Sequence, residues 1–233
     1  MAGLTSAAFI VCKTGRDALF FQEQALLQLP LAYLGIGLAS LPASFLFVQA
    51  MKTWGSRPAR VGLLVFVSCT LSAFLPALDV GNYPVLIALF LSIPTLFGLL
   101  FASVWLLASE VYEKKSKRLV ARAFGTIGAS SLAGGMAGGI VAKGLASQVA
   151  AKWLLLLGAA VLLVVAALAL RTYHLFPAPA AMRNDRPLHR KAPLAIVLRE
   201  SYARTLLWIS MAGALTALFI DFQFYATAAA ARC

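Results

Sequence analysis

Seven apolar stretches of about 20 residues run through this chain, and about 20 residues is the length a helix needs to cross the hydrocarbon of a bilayer. They cover residues 2–22, 30–51, 61–78, 84–107, a fifth beginning near Val120, 153–170 and 205–228. Lipid offers no partner to a bare backbone N–H or C=O, so segments of this kind are helices. Hydrophobic residues make up 61% of the 233 and charged residues 12%, with a mean hydropathy of +0.87. A soluble domain of this length has no interior large enough for that much apolar surface. The expected class is an all-α polytopic membrane protein with about seven transmembrane helices. Pro94 lies inside the fourth span, where it is expected to kink the helix.

The loops give a direction. The net charge is +12, and 15 of the 20 basic residues fall in three loops. The second-to-third loop holds Lys52, Arg57 and Arg60. The fourth-to-fifth holds Lys114, Lys115, Lys117, Arg118 and Arg122. The sixth-to-seventh, residues 171–204, holds Arg171, Arg183, Arg186, Arg190, Lys191, Arg199 and Arg204. The alternate loops hold only Lys143 and Lys152. The positive-inside bias puts the rich loops and the N-terminus in the cytoplasm, in a cell inner (plasma) membrane. Short basic loops suit membrane lipid as a partner. No basic face interleaved with aromatics appears, so nucleic acid is not an expected partner.

The first span breaks the apolar rule at Lys13-Thr14-Gly15-Arg16-Asp17. Each charge at the centre of a bilayer helix costs roughly 2.5–3.5 kcal/mol on insertion scales. On a helix Lys13 lies three residues from Arg16 and four from Asp17, so the three share a face. A face turned to a watery cavity between helices avoids the cost, and such cavities hold solutes. The plainer alternative is a Lys13–Asp17 pair that only locks helices together. That pair leaves Arg16 over, and the cluster stays net positive.

The seventh span carries Asp221-Phe222-Gln223-Phe224-Tyr225. Set against Asp17-Ala18-Leu19-Phe20-Phe21, it repeats Asp-x-x-Phe-aromatic. First and seventh helices are where a duplicated six-helix transporter places equivalent cavity-lining segments. The fifth span holds two small-xxx-small pairs, Gly134 with Gly138 and Gly135 with Gly139, which permit close backbone approach. Tight packing is the first reading of those glycines, and a sliding helix the second.

Other chemistries find no support. Cys12, Cys69 and Cys233 are isolated, and His174 and His189 lack metal-ligand spacing. No nucleophile elbow or phosphate-cradling loop is present, so neither an enzyme nor a cofactor is expected. No Lys/Arg-led signal peptide opens the chain. The first span starts without a hydrophilic lead and Cys233 closely follows an apolar span, so both ends read as cut short or minimal. Residues 193–202 are read as a short amphipathic surface helix or as a plain connector.

Lys13-Thr14-Gly15-Arg16-Asp17-Ala18-Leu19-Phe20 resembles the first-helix stretch of the ATP/ADP translocase (nucleotide transporter) family of plastids and intracellular bacteria, which has free-living bacterial relatives. Leu31-Ala32-Tyr33 is similar to the same relatives. So are Trp105 to Gly134, with Arg122-Ala123-Phe124-Gly125, and Ile220-Asp221-Phe222-Gln223-Phe224. The resemblance covers most of the chain in order. It implies a major-facilitator-like fold of two six-helix bundles and alternating access. It also implies that Lys13 and Arg16 meet phosphates and that Asp221 has a coupling or gating role. Tyr225 stands where the family carries a basic residue, and only one span of a second bundle is present.

The expected organisation is therefore a six-helix bundle over 1–170, a connecting loop over 171–204, and the first helix of an incomplete second bundle over 205–233. The expected function is a secondary carrier, or part of one, for an anionic solute, with nucleotides leading. The expected substrate-binding residues are Lys13, Arg16, Asp17, Asp221, Gln223 and Tyr225. A second half or subunit is the expected partner that completes the path. The alternative is a non-transporting scaffold or assembly subunit.

Overall fold

The computed structural model describes residues 1–23, 29–78, 83–112, 116–175 and 201–230. Among them the regular structure is helical throughout: α1 Ala2–Glu23, α2 Leu29–Trp54, α3 Ser56–Leu78, α4 Tyr83–Tyr112, α5 Lys117–Ala146, α6 Ala151–Leu175 and α7 Ser201–Ala230. Five of these, α2 to α6, are long and apolar enough to cross a membrane. The chain has the multi-pass helical architecture of a membrane-embedded protein. The count of seven spans narrows to five on length and composition. α1 falls short because Lys13, Arg16 and Asp17 place three charges in its middle. α7 is not among the five, and its side chains are described only in part.

The helices outrun the apolar stretches. α3 starts at Ser56 and α4 continues to Tyr112, so Arg57, Arg60 and Glu110 are helical rather than loop residues. Intrahelical hydrogen bonds continue beyond the hydrocarbon, and long basic side chains carry their charge back towards water. Only Gly55 separates α2 from α3, at φ +85°, a left-handed conformation that glycine adopts without penalty. α4 runs unbroken through Pro94. Residues 193–200, the supposed surface helix, lie outside the described residues, and Ser201 opens α7.

Two compact units result, Met1–Phe176 and Pro177–Cys233. In the first, α1 is the inner helix and packs on α4, α5 and α6. Its buried face carries Ala8, Val11, Cys12 and Phe20. α4 contributes Leu89, Phe90, Ile93, Phe97 and Leu100, a buried face at helical spacing. α6 contributes Leu155, Ala159, Leu162 and Ala166 in the same way.

Helix directions follow from which residues meet. Gly3 lies against Ser130 and Ala7 against Gly138, so α1 and α5 run parallel. Cys12 meets Gly158 while Gly15 meets Ala151, so α1 and α6 are antiparallel. Phe9 meets Phe97 and Phe101 while Phe20 meets Phe90, so α1 and α4 are antiparallel too. The starts of α1, α3 and α5 thus share one end of the unit with the ends of α4 and α6. Arg57, Arg60, Lys117, Arg118 and Arg171 belong to that basic end, and Lys143 and Lys152 to the other.

Packing between helices in lipid relies on close approach, because lipid tails are as apolar as leucine. The α1–α5 seam shows this. A Cβ on Gly134 would overlap the carbonyl oxygen of Gly3, and one on Gly138 would sit 2.6 Å from that of Ala7. Gly135 and Gly139 face only the Ile10 side chain, at ordinary contact distances of 3.8 and 3.9 Å. One of the two glycine pairs is the seam. On the outside, α2 exposes Leu31, Leu34, Leu38, Leu41 and Phe45, spaced three and four apart. A continuous apolar stripe of this kind suits acyl chains.

Candidate functional site

The charged cluster occupies the half of α1 furthest from the basic end. Gly15 turns one face of the helix to α6, where a Cβ would be 2.9 Å from the Ala151 carbonyl oxygen and 3.0 Å from the Leu154 Cβ. That contact leaves Arg16 facing α4. Its side chain is 3% exposed. Nε donates to Asp17 Oδ1 at 2.7 Å, and Nη2 donates to the same oxygen. The guanidinium carbon lies 4.1 Å from the centroid of the Phe90 ring. Phe90 is itself held by Phe20, with centroids 4.4 Å apart, and by Tyr33 in a T-shaped contact at 6.1 Å.

This corrects one expectation about the cluster. Arg16 is not left over, because it binds the Asp17 carboxylate too, through Oδ1. Neighbouring residues on a helix point about 100° apart, but the arginine side chain is long enough to curl back. A buried guanidinium needs a charge partner and a polarisable surface, and here a carboxylate and an aromatic face supply both. The cation–π part alone is worth on the order of 2 kcal/mol in a desolvated setting. Lys13 is half-buried, one turn away. Thr14 Oγ1 donates to the Ile10 carbonyl at 2.9 Å and so leaves the helix regular. With Lys13 and Arg16 against Asp17, the three side chains carry one net positive charge inside a helical unit.

The seventh-helix candidates belong to the second unit. Asp221 is half-buried on α7 and Gln223 is exposed. The Gln223 carbonyl accepts a hydrogen bond from Thr227 Oγ1 at 3.0 Å. The side chain of Tyr225 lies outside the described residues. Lys13, Arg16 and Asp17 therefore form one local group, and Asp221 and Gln223, two residues apart on α7, share no face of their helix.

Searches of protein-family models, of curated proteins and of solved structures return no match to this chain.

A second charged group was absent from the sequence expectations. Arg60 is 4% exposed, and its Nη2 donates to Glu110 Oε1 at 2.6 Å, joining the start of α3 to the end of α4. Its Nε and Nη1 are buried and meet no acceptor among the described residues. Arg60 lines a cavity of about 60 Å³ at the basic end, together with Thr5, Leu64, Ser103, Val165 and Tyr173. The sequence did carry a signal for it. Arg60 stands four residues before Leu64 and seven before Val67, so it continues the buried face of α3. Counting it only as a loop charge hid that position. Among the described residues no three His, Cys, Asp or Glu side chains cluster as metal ligands, and Cys12 and Cys69 are free thiols.

Proposed function

We propose that this chain is a secondary carrier, or part of one, for an anionic solute, with nucleotides the leading candidates. The observation that carries the reading is Arg16, a guanidinium inside the helical unit on a helix that also bears Lys13. A positive site among helices is expensive to maintain, and attracting an anion accounts for its presence. In this reading Arg16 and Asp17 form a fixed pair against Phe90. Lys13, one turn nearer the middle of α1, meets the phosphate as a point charge. α1 and α7 cross the membrane with α2 to α6, in a major-facilitator-like arrangement, and the basic end faces the cytoplasm of a cell inner membrane. Asp221, Gln223 and Tyr225 of α7 are the other substrate-binding residues of this reading, and a second subunit is its partner.

One observation favours a second reading. Arg16 engages both Asp17 and Phe90, as it would in a simple helix–helix lock, and a non-transporting scaffold would need no more. Uptake separates the two. Vesicles or cells bearing the chain, with whatever completes it, should accumulate labelled ATP or ADP above empty controls. Lys13→Gln should lower that uptake about tenfold or more, the scale of losing one charge-assisted hydrogen bond of roughly 1.5–3 kcal/mol. Absence of uptake supports the scaffold, and unchanged uptake by Lys13→Gln removes the role given to Lys13.

A further inference from the structure

We propose that the cavity at the basic end of the six-helix unit is a second anion site, built on Arg60 and suited to a phosphate group. The first argument is satisfaction of donors. Arg60 is 4% exposed and gives Nη2 to Glu110, yet Nε and Nη1 meet no acceptor among the described residues. Buried N–H groups left unmet are costly, and a guanidinium cannot shed its charge to lower that cost. The second argument is space at the same place. Arg60 lines a cavity of about 60 Å³, several times the volume that one water requires.

The third argument is charge. Glu110 balances Arg60, so an anion needs another positive group near. Arg57 supplies one, with its guanidinium carbon 5.1 Å from the centroid of the Tyr173 ring. Tyr173 is part of the cavity wall, and Arg57 packs on that ring without itself lining the cavity. Phosphate is the group that best uses several N–H donors from guanidinium side chains. Serine and threonine add little. Ser103 Oγ and Thr5 Oγ1 already donate to the carbonyls of Leu100 and Met1. Their oxygens can still accept from water around the anion.

The apolar remainder of the wall, Leu64, Leu100 and Val165 among it, suits a phosphate ester with an apolar body as well as free phosphate. The shared chemistry is the phosphate, and its source is either solution or a lipid headgroup. This site is independent of the carrier reading. It is about 16 Å along α1 from Arg16, counting the eleven residues from Thr5 at 1.5 Å each.

Thermal unfolding of the full chain in a neutral detergent, followed by tryptophan fluorescence, is the test. Inorganic phosphate is compared with chloride at equal ionic strength. In a second arm, phosphatidic acid is compared with diacylglycerol. Saturating phosphate or phosphatidic acid should raise Tm by roughly 3–5 °C, and the control additions should not. A shift with phosphate assigns a solution anion, and a shift with phosphatidic acid alone assigns a headgroup. Arg60→Gln should remove the shift, although it also lowers the starting Tm. Val104 also lines the cavity, so Val104→Phe fills it with Arg60 and Glu110 left in place, and it should remove the shift too. Absence of a shift in both arms overturns the site, as does a shift that persists in both variants.

Discussion

A Gly134→Ala variant is expected to lose most of the stability of the helical unit. The added methyl would overlap the backbone carbonyl of Gly3, and no rotamer change can move a backbone. Overpacking costs about 1–3 kcal/mol where side chains can yield, so the cost here should be at or above the top of that range. For a chain of this length that is a fall in Tm of roughly 6–12 °C. Gly128→Ala, on the same helix, provides the control. Nothing lies within 4 Å of the methyl it would add. It should be neutral or gain up to about 1 kcal/mol, because alanine is the better helix former. Melting both variants in detergent reads the difference. Equal melting temperatures would show that α1 and α5 do not meet through Gly134.

The second large effect is expected at Arg16. Arg16→Met leaves the Asp17 carboxylate, only 13% exposed, without the guanidinium that holds it. Breaking a buried pair in this way costs about 3–5 kcal/mol. Arg16→Met with Asp17→Leu removes both charges and should recover most of the loss, since an apolar pair of similar volume is often no less stable. A double-mutant cycle on thermal or denaturant unfolding would then give a coupling of about 1–3 kcal/mol. Additive losses would mean that Arg16 and Asp17 do not hold one another. The cycle has a functional counterpart as well. If the double variant is stable but moves no anion, the cluster does more than lock helices.

Much of this molecule was legible because lipid simplifies the code. Segments such as 84–107 and 153–170 have one available structure, and α4 and α6 follow them closely. The alternation of basic loops likewise foretold which helix ends lie together. Boundaries were less legible, because helical hydrogen bonding does not stop where hydropathy falls. Thus Arg57 and Arg60 were read as loop residues and proved to belong to α3. The glycine pair Gly134 and Gly138 was readable as a packing face, but its partners Gly3 and Ala7 were not, since a small residue does not say what it touches.

The part of Arg16 in the α1 cluster was missed for a different reason. Spacing favours residues three or four apart, and it drew attention to Lys13 and Asp17. Arg16 reaches its immediate neighbour because the Phe90 face, seventy-four residues on, holds the guanidinium in place. Nothing local in the sequence announces that ring. Arg60 and Glu110 were missed by the same logic, since they are fifty residues apart and pair only once α3 and α4 pack.

The central claim is that Lys13 of α1 faces water between helices rather than acyl chains, beside an Arg16 that is buried against Phe90. The most direct measurement is thiol accessibility at position 13, with the native cysteines replaced. Lys13→Cys should react with a charged methanethiosulfonate reagent many times faster than Leu38→Cys, which sits on the exposed apolar stripe of α2. Millimolar ATP should slow the reaction at position 13 and leave position 38 unchanged. Equal and slow labelling at both positions, with no effect of ATP, would contradict the claim.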